Sequence, residues 1–248
     1  MDLAGYLNII QQLAGGMLST LLIFVLTLIF SMPLGLLVAF GRMSKWAPFA
    51  FSKTQEQSGE GTVSHKYLQK WMGNFKPIQF VAKIYISILR GTPLMLQLLV
   101  VYFAPYYVFG ISLSQSYRFI AVIIGFSINY AAYFAEIYRS GIEAIPIGQY
   151  EAASVLGYNK YQTFTKIVFP QMIKRILPPV TNEIITLVKD TAMAFVLNYT
   201  EIFTLAKQIA AAETTIMPLF IAGVFYFIFN WAVAHGMERV ERSLSYYR

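Results

Sequence analysis

Residues 3–41 of this chain include no charged side chain. About 20 consecutive apolar residues cross the ~30 Å hydrocarbon core of a bilayer as a helix, so this run is long enough to span a membrane. Its densest part, residues 17–41, reads as a first transmembrane helix. Gly15-Gly16 loosens its start, and the residues before it are expected on the membrane surface. Pro33 is expected to kink it. The rest of the chain fits an integral membrane class. It is 57% hydrophobic and 12% charged, where a soluble domain carries roughly twice that share of charge. It has no cysteine, which excludes disulfides and thiolate metal sites. The first apolar run has no Lys or Arg before it and is too long for a signal-peptide core, so no cleavable signal is expected.

Four more spans follow in the pattern, at about 84–109, 117–138, 178–197 and 218–240. The fold class expected is all-α, integral membrane, with five transmembrane helices in one domain. Residues 42–80 form a hydrophilic loop with Arg42, Lys45, Lys53, Lys66, Lys70 and Lys76, and a short helix is expected around 65–72. Trp46, Phe49, Phe51, Trp71 and Phe75 suit headgroup level. His65 is a lone histidine in a solvated loop. Pro178-Pro179 are expected to open the fourth span, and a polar helical stretch is expected from 201 to 213.

Five spans put the termini on opposite sides, and the basic residues decide which is which. With the N-terminus outside, the inner segments collect eight Lys and Arg between Arg42 and Arg90, five between Arg139 and Arg175, and three in the tail. Those sixteen of nineteen select N-terminus out and C-terminus in, so the net charge of +7 reports topology rather than nucleic-acid binding.

The segment 139–175 then faces the cytoplasm. It holds Gly148-Gln149-Tyr150-Glu151-Ala152-Ala153-Ser154-Val155-Leu156-Gly157, continuing to Ile167-Val168-Phe169-Pro170. The pattern predicts a short helix, a break at Gly157-Tyr158, and a second helix capped by Asn159 with Gln162 three residues on. Ala152 and Ala153 leave a narrow helix face for close approach of another protein. This pattern resembles the EAA loop of ABC-importer permeases, with Phe169 where the family usually has Leu. Further stretches resemble the polar amino-acid branch, the histidine, glutamine, arginine and cystine type. They are Arg90-Gly91-Thr92-Pro93-Leu94 with Gln97, Ala132-Tyr133-Phe134-Ala135-Glu136-Ile137-Tyr138-Arg139, Ile145-Pro146, and Lys189-Asp190-Thr191-Ala192. The loop at 44–79 looks about twenty residues longer than is usual in the family.

The resemblance implies a type I importer core. It makes Gln149, Glu151, Ala152, Ala153, Gly157, Ile167 and Pro170 the residues that couple to an ATPase. It also implies two ATP-binding subunits, a second permease (a copy or a homologue), an extracellular substrate-binding protein, and a bacterial cell membrane. The chain has no P-loop, so ATP and Mg are expected on the partner, with no catalytic site, cofactor or metal site in this chain.

In the fourth span Asn182, Glu183, Thr186, Lys189 and Asp190 share a stripe about 120° wide at 100° per residue. A charge at membrane depth costs ~2.5–3.5 kcal/mol on insertion scales, so these groups should face a cavity or each other. A zwitterion needs both signs. Glu183 could take an ammonium or a basic side chain. Lys189, Gln97 and Asn129 could serve the carboxylate, with Asn182 and Thr186 beside them. The resemblance adds that an acidic residue matching Glu183 helps some members recognise basic amino acids. The competing structural role is an ion pair of Lys189 with Asp190, and Glu136 is expected to pair with Arg139 at i,i+3. Gly125, Asn129, Ala132, Tyr133 and Glu136 fall on one face of the third span.

The function expected is the membrane subunit of an ATP-driven importer of polar amino acids. Alternatives are the same class of permease for another small polar solute, an opine or a cystine-like compound, or a self-contained secondary transporter. Five spans without an inverted repeat argue against the last. A membrane enzyme would need clustered His, Asp or Cys, and His235 stands alone.

Overall fold

The computed structural model describes residues 3–44, 46 and 76–244. Most of the hydrophilic loop, with its expected helix, His65, Phe49, Phe51, Trp71 and Phe75, lies outside the described residues. All the described regular structure is helical. It runs α1 (Leu3–Met43), α2 (Pro77–Gly91), α3 (Leu94–Phe109), α4 (Gln115–Glu143), α5 (Ile147–Val155) and α6 (Lys160–Thr163). A π-helical turn (Phe164–Val168) leads into α7 (Phe169–Asp190), then a 3-10 segment (Thr191–Leu197), α8 (Ile202–Ala212) and α9 (Met217–Ser243).

α4 is the centre of the bundle. Ser114 caps it by accepting from the Tyr117 amide at 3.1 Å. Its Ala121, Val122, Phe126, Ala131 and Phe134 are fully buried. α1 lies along it on a strip of small residues. A Cβ on Gly35 would stand 2.8 Å from Phe134 Cβ and 3.0 Å from the Ala131 carbonyl oxygen. Close backbone approach of this kind is how helices associate where lipid removes the hydrophobic driving force.

Several helix boundaries differ from those expected. In α1 the residues before 17 and the expected span are continuous. It is one helix of 41 residues, with Pro33 inside it. Its first turns are held because Ile9 and Leu13 are buried against Ile202, Ala206 and Ile209 of α8. The stretch 84–109 is not one helix. α2 and α3 meet at a bend of 113°. Pro93 disfavours helical backbone at the residue before it, and Thr92 is extended at φ −123°, ψ 150°. Pro178 and Pro179 do not open a helix but lie inside α7. Proline's φ fits a helix, and the backbone bonds it forfeits can be met locally within a membrane bundle.

α1, α4 and α9 are each long and apolar enough to cross a membrane, and the α2–α3 pair would make a fourth crossing if it counts as one. α7 does not qualify alone, because Lys174, Arg175, Glu183, Lys189 and Asp190 interrupt its apolar residues.

The stretch expected as a polar helix is apolar and packed. Glu201 at its head is fully buried and caps α8. It accepts from the amides of Phe203 (2.7 Å) and Thr204 (2.6 Å), from Thr204 Oγ1 (2.8 Å) and from Tyr226 Oη (2.9 Å). Thr20 of α1 accepts from the Ile202 amide at 3.3 Å. One buried carboxylate and one hydroxyl thus tie α8 to α9 and α1.

Candidate functional site

The polar residues singled out within the bundle come together in two groups with different uses. The first surrounds the α2–α3 bend. Gln97 Nε2 donates to the Leu89 carbonyl (2.9 Å), the Thr92 carbonyl (3.0 Å) and Thr92 Oγ1 (2.8 Å). Asn129 Nδ2, from α4, donates to the same Leu89 carbonyl (3.2 Å) and to Gln97 Oε1 (2.9 Å). A broken helix leaves carbonyls without amide partners, and a buried unpaired polar group is costly. The two amides meet that need, so their hydrogen bonds are committed to the bend.

The second group lies at the polar stripe of α7. Asn182 and Lys189 are exposed, and Glu183, Thr186 and Asp190 are half-buried. Thr186 Oγ1 donates back to the Asn182 carbonyl at 2.9 Å, a local bond common for helical threonine. Asp190 Oδ2 accepts from Tyr130 Oη at 2.7 Å. Lys189 lies within electrostatic reach of Asp190, yet the two make no ion pair among the described residues. Glu183 accepts no hydrogen bond among the described residues. It lies within electrostatic reach of Arg90 and Asp190. The Arg90 guanidinium is 5.1 Å from the centroid of the Tyr133 ring, a cation–π arrangement. The stripe thus holds a carboxylate with no hydrogen bond among the described residues, with a guanidinium held on an aromatic face within its electrostatic reach, and further along an exposed ammonium. Tyr130 was not singled out from the sequence, and Tyr133 was placed there only on one face of the third span with Asn129 and Glu136. Arg90 was visible only as part of a motif, since its charge placed it at the membrane edge.

Glu136 pairs with Arg139 as expected, and Arg139 also binds Glu143 one turn further on. Arg175 Nη1 donates to the Ala144 carbonyl at 2.7 Å, fastening the end of α4 to α7.

Beyond that fastening α5 projects. Its end closes by Leu156 N to Ala152 O (3.1 Å), Gly157 N to Ser154 O (3.0 Å) and Tyr158 N to Ala153 O (3.0 Å). Gly157 has φ +74°, the left-handed region where a side chain is strained. A Cβ there would meet nothing within 4 Å, so the backbone, not crowding, requires glycine. Asn159 and Gln162 form the full capping box, at 2.9 and 3.0 Å. Gln171 Nε2 donates to Gln149 Oε1 (3.3 Å) and to the Ile167 carbonyl (3.0 Å), pinning α5 to the π-helical turn. Pro170 is exposed at the start of α7. Glu151 and Ala152 face outward, but Ala153 is fully buried against the chain itself. The two alanines thus do not share one outer face. What the loop presents instead is Ile147, Val155 and Leu156, exposed by 75%, 88% and 69%.

A family of binding-protein-dependent transport system inner membrane components matches residues 68–246. The chain belongs to this family, the membrane-embedded permeases of ABC importers. The permease is 38% identical over 174 residues to the arginine transport system permease protein ArtQ of Bacillus subtilis (strain 168), covering 70% of this chain and 78% of ArtQ. It is 30% identical over 247 residues to the L-cystine transport system permease protein TcyB of the same organism, covering 97% and 92%. A crystal structure of an amino acid ABC transporter with histidines superposes with a TM-score of 0.77 at 28% identity, over 98% of the permease and 99% of that chain. The MetNI methionine ABC transporter, in an inward-facing form, shares the fold at 16% identity, with a TM-score of 0.62 over 99% and 100%. The permease therefore has the type I importer fold and is a multi-pass membrane protein.

Proposed function

We propose that this permease is the membrane subunit of an ATP-driven importer of polar amino acids in the bacterial inner membrane. The chain crosses five times with the N-terminus outside and the C-terminus in the cytoplasm, α7 and its 3-10 extension serving as the fourth crossing. It works with two ATP-binding subunits, a second permease and an extracellular binding protein, and it hydrolyses no ATP itself. The observation that carries the reading is Glu183 on the polar stripe of α7 with Arg90 within its electrostatic reach, Lys189 lying exposed further along the same stripe. An amino acid offers an ammonium and a carboxylate, and a site shielded from water can read both because screening is weak there. Glu183 takes the ammonium or a basic side chain. Arg90 and Lys189 take the carboxylate, Asn182 and Thr186 line the approach, and Gln97 and Asn129 hold the wall against which it binds.

Coupling runs through α5. Val155 and Leu156 enter a cleft of the ATPase, Glu151 and Gly157 set the docking geometry, and the Arg139 and Arg175 bonds carry the motion into α4 and α7. A second reading, a cystine-like solute, is favoured by the similarity to the cystine permease over nearly the whole chain. Both readings are tested by reconstituting the permease with its ATPase, second permease and binding protein and measuring ATP turnover against a panel of amino acids. Stimulation by basic or other polar amino acids supports the first, and stimulation by cystine alone supports the second. Turnover unaffected by any amino acid would sink both.

A further inference from the structure

α1 and α2 leave between them an apolar groove of about 520 Å³. Leu37 and Val38 form one wall, Ile78 and Val81 the other, and Tyr85 closes its inner end. Tyr85 is fixed there because its hydroxyl donates to the Ile128 carbonyl at 2.6 Å. The helices touch at the floor, where a Cβ on Gly41 would lie 3.4 Å from Ile78 Cγ2 and 3.8 Å from Ala82 Cβ. Arg42 directly follows the lining residue Gly41 and Lys76 directly precedes the lining residue Pro77, and both cations are half-buried. Neither α1 nor α2 contains an Asp or Glu, and no carboxylate among the described residues pairs with either cation.

We propose that this groove holds one acyl chain of an anionic diacyl phospholipid, whose phosphate lies between Arg42 and Lys76. A groove of about 520 Å³ has room for an extended hydrocarbon chain. Its apolar lining rejects a polar ligand. Two cations without a local carboxylate favour an anionic headgroup over a zwitterionic one, each basic residue near the surface adding to the attraction. Trp46, 56% exposed, stands just beyond Arg42, where an indole suits the headgroup layer.

The test is native mass spectrometry of the whole permease–ATPase complex, released from nanodiscs of equal parts phosphatidylglycerol and phosphatidylcholine. Wild type retains about one phosphatidylglycerol per permease chain. The double change Arg42→Gln with Lys76→Gln lowers that retention roughly tenfold relative to phosphatidylcholine. Val81→Trp, which fills the groove and keeps both cations, removes bound lipid of either kind. Equal retention of the two lipids by wild type would overturn the headgroup assignment. Unchanged retention in Val81→Trp would overturn the groove. The chain has no cysteine, so Ile78→Cys gives a single cross-linking position. Capture of the chain's own 47–75 segment or of a second permease from that position would give the groove a different occupant and end the proposal, whereas photo-labelling of a diacyl lipid there would support it.

Discussion

The bend between α2 and α3 and the projecting loop around α5 are both rich in polar residues, and they treat them in opposite ways. At the bend, Gln97 and Asn129 spend their hydrogen bonds inward, on Leu89 and Thr92. At α5, the polar residues settle the shape of the loop, through the Asn159–Gln162 box and the Gln171 bridge, and leave large apolar side chains outside. In a membrane protein an intramembrane polar residue is therefore not by itself a ligand. The informative groups are those the fold leaves unspent, which are Glu183 in the bundle and Val155 and Leu156 on the loop.

The largest effect should come from breaking the bend. Asn129→Leu leaves Gln97 Oε1 without its donor in a part-buried site, a loss of about 1 kcal/mol or more. The expected result is a clear drop in the apparent melting temperature of the detergent-solubilised complex, with transport of every substrate falling together. A variant that melts normally yet shifts substrate preference would turn Asn129 back into a ligand. Glu183→Gln should do the reverse. Its melting temperature should stay near wild type, while transport of basic amino acids falls about tenfold more than that of neutral ones, a difference near 1.4 kcal/mol. Equal loss across the panel would put Glu183 in the structural group with Asn129.

A smaller effect separates shape from surface on the loop. Asn159→Ala removes a cap, typically ~1 kcal/mol. It should weaken ATPase co-purification modestly, with Asn159→Asp restoring it. Smallest of all, deleting residues 52–61 should leave the amino-acid preference unchanged, because the sequence reads as a hydrophilic loop there. A changed preference would bring the long loop into the substrate path.

The same contrast explains what could be read from the amino-acid order. The α5 loop was legible because its determinants are local. A capping box spans four residues, and a left-handed turn asks for glycine at one position. The Glu136–Arg139 pair was legible for the same reason. The bend was half visible. Pro93 marks a break in any helix, but hydropathy averages across it and reads one span. The partners of Asp190 and Glu201 were not legible. Tyr130 is 60 residues from Asp190, and Tyr226 is 25 from Glu201. Only the folded bundle sets them side by side. Ala153 was misjudged with Ala152 because the motif names both, while a 9-residue helix turns one of two neighbours inward.

The claim at the centre of this account is that the exposed end of α5 is the ATPase-facing surface. With no native cysteine, Val155→Cys places one reactive thiol at its most exposed side chain. In membranes containing the assembled complex, a short bifunctional reagent should join this position to the ATP-binding subunit, with the yield changing between ATP-bound and nucleotide-free states. The same reagent should give no such product from Phe227→Cys, exposed by 72% on α9. A Val155→Cys permease that cross-links only to another permease, or that joins the ATPase no better than Phe227→Cys, would contradict the account.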